Sequence, residues 1–198
     1  MIDKKALFKI EYGLYVVTTN DGKKDNGLIL NSVMQVSNDT IAVAINKENY
    51  SCDTVLNTKK MNVCPININA KFGLFKHFGF QSGRDVNKFE GYDLPRSDNQ
   101  LVYIEDYSNA YISLEVRYPI DCGSHILFIC DIKESKVLND IETMSYSYYH
   151  KNVKGKTTDK KKGYVCGICG YVLEADTLPE DYVCPLCLHG AEYFEELK

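Results

Sequence analysis

The sequence predicts a mainly β fold in two unequal parts, a barrel-forming domain over residues 1–150 and a small metal-knuckle module over residues 163–198. Three observations predict it. Apolar, β-branched stretches recur ahead of residue 150 with turn residues between them, which is the pattern of strands closing into a barrel. The run KNVKGKTTDKKK at 151–162 holds six lysines and one large apolar residue, Val153, so it cannot bury itself and reads as a linker. Beyond it, four cysteines fall into two CxxC pairs.

Taken in chain order, the strand-forming stretches run Tyr15 to Thr19, Gly27 to Ser37, Thr40 to Ile45, Met61 to Ile66, Ala110 to Tyr118 and His125 to Leu138. Asp21-Gly22 marks a hairpin turn after the first of them, because glycine supplies the positive φ such turns need. Two stretches read as helical, Tyr50 to Asn57 and Ala70 to Phe78. Pro119 donates no hydrogen bond and is tolerable only where its strand bends or ends.

With 198 residues and 44% hydrophobic side chains, the chain holds one good-sized core plus an appendage that needs another source of stability. The formal net charge is -4, and no basic stripe with interleaved aromatics is present, which argues against a nucleic-acid partner. Charge is segregated: net -3 before the linker, +5 within it and -6 after it. As a flexible chain the linker has a reach of roughly 20 Å.

Lys9 and Glu11 interrupt what would have to be the apolar part of a signal peptide, and no run is long enough to span a bilayer. A cytoplasmic protein without membrane association is therefore expected, and with it reduced thiols. Cys52, Cys64, Cys122 and Cys130 then read as small buried hydrophobes. The glycosylation patterns at Asn38 and Asn49 carry no weight in such a protein.

The segment YVCGICGYVLEADTLPEDYVCPLCLHGAEYFEEL places its CxxC knuckles so that Cys166 and Cys169 can grip one metal from one side and Cys184 and Cys187 from the other. So short a segment has too little apolar surface to fold alone, and metal binding supplies the missing free energy. Zinc ribbons use the same ligands, so ligand count leaves zinc and iron both open.

The flanking residues resemble the rubredoxins: Tyr164 two before the first cysteine, Cys169-Gly170-Tyr171, Leu178-Pro-Glu-Asp-Tyr-Val-Cys-Pro, and the final aromatic Phe194. The resemblance implies a single iron held by four thiolates and used for one-electron transfer. It also implies an aromatic core of Tyr164, Tyr171, Tyr182 and Phe194 under the metal, and backbone N–H groups near Gly170 that tune the potential. The sequence departs from the pattern in a shorter loop between knuckles, in Tyr182 where tryptophan is common, and in Leu188 where glycine is expected. If that last position needs φ > 0, leucine is strained there.

A one-electron centre needs a source, and a flavin converts the hydride of NAD(P)H into single electrons. No GxGxxG follows a strand and no Walker loop is present, so the residues alone name no flavin site. Tyr12-Gly-Leu-Tyr-Val-Val-Thr, Asn26-Gly-Leu-Ile-Leu-Asn-Ser-Val-Met-Gln-Val-Ser, Ile45-Asn-Lys-Glu-Asn and Phe78-Gly-Phe-Gln-Ser-Gly-Arg-Asp, however, resemble the flavin reductase-like, FMN-binding split-barrel family. Gly123-Ser-His-Ile-Leu-Phe and Met144-Ser-Tyr-Ser-Tyr-Tyr-His extend the match across residues 1–150.

That resemblance implies that Asn26, Asn31, Ser32, Val33 and Gln35 face the polar edge of FMN, and that Asn46, Lys47 and Asn49 meet its ribityl phosphate. Ser82 and Arg84 form a second phosphate candidate, with a bidentate geometry lysine lacks. Without the resemblance each reads as a surface polar group on a strand or turn. His125, alone a structural histidine, is implied to position the hydride donor against the flavin; Tyr149 is implied to lie near the cofactor or a dimer interface. His77 and His189 read as ordinary polar residues.

With its tail, the whole chain resembles the family of high-molecular-weight rubredoxins, NAD(P)H-oxidising flavoproteins of anaerobes that pass electrons to flavodiiron proteins reducing dioxygen or nitric oxide. Homodimers are implied by the same likeness. Two rivals stay open: a flavin or ferric reductase with a structural zinc-ribbon tail, and a non-enzymatic flavin- or heme-binding module whose tail recruits a partner.

Overall fold

The computed structural model describes residues 6, 9–154, 163–167, 171–184 and 189–197. Contacts divide the chain into two compact units, Met1–Val153 and Lys154–Lys198.

Seven antiparallel strands build the sheet of the first unit: β1 (Tyr15–Asn20), β2 (Asp25–Leu30), β3 (Val33–Gln35), β4 (Thr40–Asn46), β5 (Lys60–Pro65), β6 (Ala110–Asp121) and β7 (His125–Val137). Their order is β2-β1-β5-β6-β7-β4-β3. The two edge strands are thus consecutive in the chain, with only Asn31 and Ser32 between them. A flat sheet of seven strands at about 4.8 Å spacing would separate its edges by roughly 29 Å, whereas Leu30 and Val33 can be at most about 11 Å apart along the chain. The sheet therefore curls until its edges meet at Asn31-Ser32, where the Ser32 carbonyl accepts the Ala44 N–H at 2.9 Å. This is a barrel split along one seam.

The continuous stretch expected from Gly27 to Ser37 is corrected by this closure. Two polar residues interrupt it, and its halves pair on opposite edges, Leu30 with Tyr15 and Val33 with Val43. The sixth strand also runs past its expected end at Tyr118. A register shift lies between Val116 and Tyr118, so Arg117 bulges out and Pro119 pairs with Phe128 beyond it. By then β5 has stopped pairing with β6, and the missing N–H of Pro119 faces no neighbour strand.

Two apolar clusters flank the sheet. Val17, Val43, Val63 and Phe128 fill the barrel interior, with Cys52 and Val55 of α1 (Tyr50–Thr58) plugging it. Val16, Cys64 and Tyr111 point the other way, under α2 (Phe72–Gly79), Met144 and Tyr149. Because β1 and β5 are covered on both faces, they read as unbroken apolar runs rather than alternating ones. Cys52, Cys64 and Cys130 are buried as expected, and burial pushes the thiols of Cys64 and Cys130 up to about 12. Cys122 differs: it is exposed, on the turn that joins β6 to β7.

Lys88 was not singled out by the sequence, yet it is 4% exposed. Its amine donates to the carbonyls of Gly27 at 2.7 Å and Phe78 at 2.9 Å, stapling the C-terminal end of α2 to β2. Burial lowers its pKa from 10.5 to about 8. Since the unfolded chain then binds more protons between those values, this group makes stability rise as pH increases from about 8 to 10.5. Lys88→Met leaves both carbonyls unpaired, and a loss of about 2–4 kcal/mol in denaturant unfolding is expected.

A short helix, α3 (Tyr146–Tyr148), and a π-helical turn, Tyr149–Val153, close the first unit. Neither was expected from the sequence. Among the described residues no helix is long and apolar enough to cross a membrane. In the second unit, β8 (Tyr164–Cys166), β9 (Val172–Leu173) and β10 (Phe194–Glu196) form a three-stranded sheet in the order β10-β8-β9.

Candidate functional site

Strand register gathers most of the expected cofactor residues at one end of the barrel. Asn46, the last residue of β4, pairs with His125, the first of β7. The next residue, Lys47, donates its N–H to the Ser124 carbonyl at 3.0 Å. Its ammonium reaches both oxygens of Asp121, at 2.7 and 2.8 Å, across the β6–β7 turn. That contact holds the Asp121 carboxyl below its ordinary pKa. Asn46 accepts the Glu48 N–H at 2.9 Å, which turns the chain toward α1.

Asn49 is the N-cap of α1, and its side chain makes no capping bond; its carbonyl accepts the Cys52 N–H at 2.8 Å, and the N–H groups of Tyr50 and Ser51 are left for another acceptor. The Arg84 guanidinium sits beside this terminus. It donates to the Glu48 carbonyl at 2.9 Å, lies 3.8 Å from Asp53 and rests 5.8 Å from the Tyr50 ring. Ser82 accepts the Arg84 N–H at 3.1 Å and shapes the loop that carries it. A Tyr50 hydroxyl bond to Asp21 draws that carboxyl down to about 2.

Asn26 ties these parts together from below. Its amide donates to the Ser51 hydroxyl at 2.7 Å, while its buried Oδ1 has no hydrogen-bond partner among the described residues. Any side chain at Gly83 would run into that carboxamide, so only glycine lets the Ser82–Arg84 loop approach the strand. Asn31 and Ser32 stand at the barrel seam, bonded to each other at 3.0 Å.

Two expected residues are not brought to this end. Gln35 pairs with Ile41, five residues before Asn46, or about 17 Å along the strand, and donates to the Ser37 carbonyl of its own turn. Tyr149 is buried, with its ring centroid 4.4 Å from that of Phe75, because the face of the chain ahead of the linker packs into the core under α2. Asp121, Ser124 and Ser51 belong to the cluster without having been expected. Asp121 had a legible signal, since an aspartate two residues before a glycine is a turn former whose carboxylate binds the local backbone.

An amide-rich seam, two cations and an open helix N-terminus match the donor set that a flavin mononucleotide requires, hydrogen-bond donors for a polar ring edge and positive charge for a phosphate. The residues present fit the group.

In the second unit the described residues around the two cysteine pairs are arranged alike. The Cys166 N–H bonds the Tyr171 carbonyl and the Cys184 N–H bonds the His189 carbonyl, both at 2.8 Å and both five residues on. Each is flanked by an antiparallel backbone pair seven residues apart, Val165 with Val172 and Val183 with Gly190. Cys166 and Cys184 are fully buried. Cys169, Cys187, Gly170 and Leu188 lie outside the described residues. The Tyr182 ring meets Phe194 edge-on at 5.3 Å, and its hydroxyl reaches that of Tyr171 at 3.5 Å. Tyr164 is half-buried and bonds the Asp176 carbonyl instead. Equivalent buried thiols, Cys166 and Cys184, in like settings suit a metal gripped from two sides.

Residues 7–157 match the model of the flavin reductase like domain, and residues 164–195 match that of the rubrerythrin, rubredoxin-like domain. The chain is 32% identical to a high molecular weight rubredoxin of Moorella thermoacetica, over 99% of this chain and all of that one. It is 31% identical to a ferric-chelate reductase (NAD(P)H) of Archaeoglobus fulgidus, over 79% of this chain and 94% of that one. Among solved structures, the NADH:FAD oxidoreductase SgcE6 of Streptomyces globisporus superposes with a TM-score of 0.66 at 16% identity, over 75% of this chain and 93% of that one, a likeness of fold. The chain belongs to the flavin reductase-like family, in the branch that carries a C-terminal rubredoxin-like domain, and it is an oxidoreductase of flavin-based electron transfer.

Proposed function

We propose that the protein takes electrons from NAD(P)H through FMN to a rubredoxin-type iron and on to a redox protein of the flavodiiron kind. One observation carries the reading: a flavin reductase-like domain and a pair of matched, buried-thiol knuckles share a single chain. The name of the Archaeoglobus relative, an NAD(P)H-using reductase, supports the choice of donor.

When bound, FMN accepts a hydride and gives up electrons singly to an iron that carries one at a time. The chain's own residues bind and orient. Asn31, Ser32 and Val33 offer amide, hydroxyl and backbone groups at the seam. Asn46, Asn49, Ser82 and Arg84 hold the ribityl phosphate at the N-terminus of α1, whose dipole favours an anion. Lys47 adds charge there while anchored on Asp121. His125 positions the hydride donor, which needs orientation more than proton chemistry. Cys166, Cys169, Cys184 and Cys187 are the iron ligands.

A homodimer is part of the proposal. Beyond the Arg117 bulge, Tyr118 and Ile120 turn to the outer face of the sheet, Tyr118 in a row with Ile129, Ala42 and Met34, and Ile120 in a row with Leu127 and Ala44. Tyr118 and Met34 are 59% and 63% exposed, an apolar row that a second copy would cover.

A second reading, a ferric or flavin reductase with a structural zinc tail, draws on the same Archaeoglobus relative. Metal and flavin analysis of anaerobically purified protein separates the two. The proposal expects iron and FMN in equal amounts with little zinc, and oxidation of NADH or NADPH. Zinc in place of iron sinks it in favour of the second reading; bound FMN without oxidation of either nucleotide sinks both.

A further inference from the structure

We infer that Lys88 is a positioning residue for the flavin phosphate: it anchors the base of the loop that carries Ser82 and Arg84 around the edge of the sheet. The inference rests on the reading of Ser82 and Arg84 as phosphate-binding residues. β2 is an edge strand whose two faces belong to different cores. Asn26 and Leu28 face the barrel interior and α1, whereas Gly27 and Ile29 face α2. α2 ends on the second face, at Phe78 and Gly79, and Arg84 acts on the first, at the N-terminus of α1. Residues 80–87 make that crossing.

The loop is seated on β2 at its tip and at its base. At the tip, Gly83 lies against the Asn26 carboxamide. At the base, a side chain on Gly27 would meet the rings of Phe78 and Phe89, which flank the loop with centroids 5.4 Å apart. Lys88 closes this base with three bonds. Its ammonium donates to the Phe78 carbonyl, in the last turn of α2, and to the Gly27 carbonyl on β2. Its own carbonyl accepts the His77 ring N–H at 2.7 Å, and because a carbonyl only accepts, that bond has one direction. The residue where the loop returns is thus tied by both its side chain and its backbone to the helix end where the loop departs.

Placement of Arg84 depends on that closure. The guanidinium reaches the Glu48 carbonyl from an exposed position, and its reach is set by where the loop begins and ends. Ordering a free loop costs about 1–2 kcal/mol for each residue fixed, so a phosphate gains most from a guanidinium that is already in place. Lys88 orders the loop when the protein folds. With a hydrocarbon in place of the ammonium, the Gly27 and Phe78 carbonyls no longer hold the base, and Arg84 has to be ordered by the ligand itself.

The test titrates full-length, iron-containing protein, stripped of flavin, with FMN and with riboflavin, which lacks the phosphate, at a temperature where the variants are folded. Lys88→Met should weaken FMN binding by about tenfold and leave riboflavin binding unchanged. Lys88→Gln, whose amide still donates, should lose less, and it carries the same comparison if Lys88→Met does not fold. In an Arg84→Ala background Lys88→Met should cost little further, because it acts through the guanidinium. Hydrogen exchange of the flavin-free protein should quicken in residues 80–87 and stay as it was in β4 and β7. Equal FMN affinity in Lys88→Met and parent, or equal weakening of FMN and riboflavin, overturns the inference. If Arg84→Ala binds FMN as tightly as the parent, the phosphate reading fails instead, and the exchange rates decide whether Lys88 holds the loop, unchanged rates overturning that too.

Discussion

Replacing Cys184 by alanine should empty the metal site and unfold the second unit, with flavin binding and reduction in the first unit preserved. Cys184 is fully buried and opens the second knuckle. A unit of this size buries too little apolar surface to be stable alone, and metal binding to four thiolates supplies folding free energy of about 10 kcal/mol or more. Loss of one ligand removes much of that and leaves the partner thiolates unsatisfied. Iron content should fall by more than about tenfold, the ferric-thiolate absorption should vanish, and amide signals of residues 163–197 should collapse toward unfolded positions. Electron delivery to an external acceptor protein should stop, although NAD(P)H still reduces the flavin. Retention of iron with an intact spectrum would mean that Cys184 is not a ligand.

The second large effect belongs to Arg84. Its guanidinium is placed at the open end of α1 by three independent contacts, the Glu48 carbonyl, the Tyr50 ring and the Ser82 turn. A charge-assisted bond to phosphate contributes about 1.5–3 kcal/mol, so Arg84→Ala should weaken FMN binding by roughly 10–100-fold. Arg84→Lys should recover only part of the loss, since lysine lacks the planar fork. Titration of flavin-stripped protein with FMN, followed by quenching of flavin fluorescence, measures both. Equal affinity in Arg84→Ala and parent would move the phosphate away from this terminus.

What could be read from the sequence was what is local. The knuckles were legible because a CxxC pair is a short-range geometric unit and two of them leave few alternatives. Strands β4 and β7 were legible because their ends coincide with changes of periodicity. The break at Asn31-Ser32 was not, although two polar residues inside an apolar run hinted at it. What splits that strand is closure of the barrel, and closure depends on which strands pair, a property of the whole sheet. Lys88 was missed for a related reason: a lysine is rarely buried, and only the meeting of the C-terminal end of α2 with β2 creates two carbonyls that need it. Helix α3 was too short to show a period, though Ser145, whose hydroxyl accepts the Tyr148 N–H at 3.1 Å, carried a capping signal.

For the site, residue types were readable and their partners were not. Lys47 and Arg84 stood out as cations beside amide-rich strands. That Lys47 is clamped by Asp121 follows from the register of β4 on β7 and of β7 on β6, which no stretch of sequence displays alone. Gln35 shows the converse. Its type suits a flavin edge, but the alternation and length of β3 carry it to the far end of the strand pair.

The central claim is that both redox groups work in series within one protein, and anaerobic titration with NADH of native, iron-containing material tests it most directly. The account predicts that flavin and ferric-thiolate absorption bleach together and that the protein takes up about three electron equivalents per chain, two on the flavin and one on the iron. Bleaching of the flavin alone, with the ferric-thiolate band unchanged after excess NADH, would contradict it.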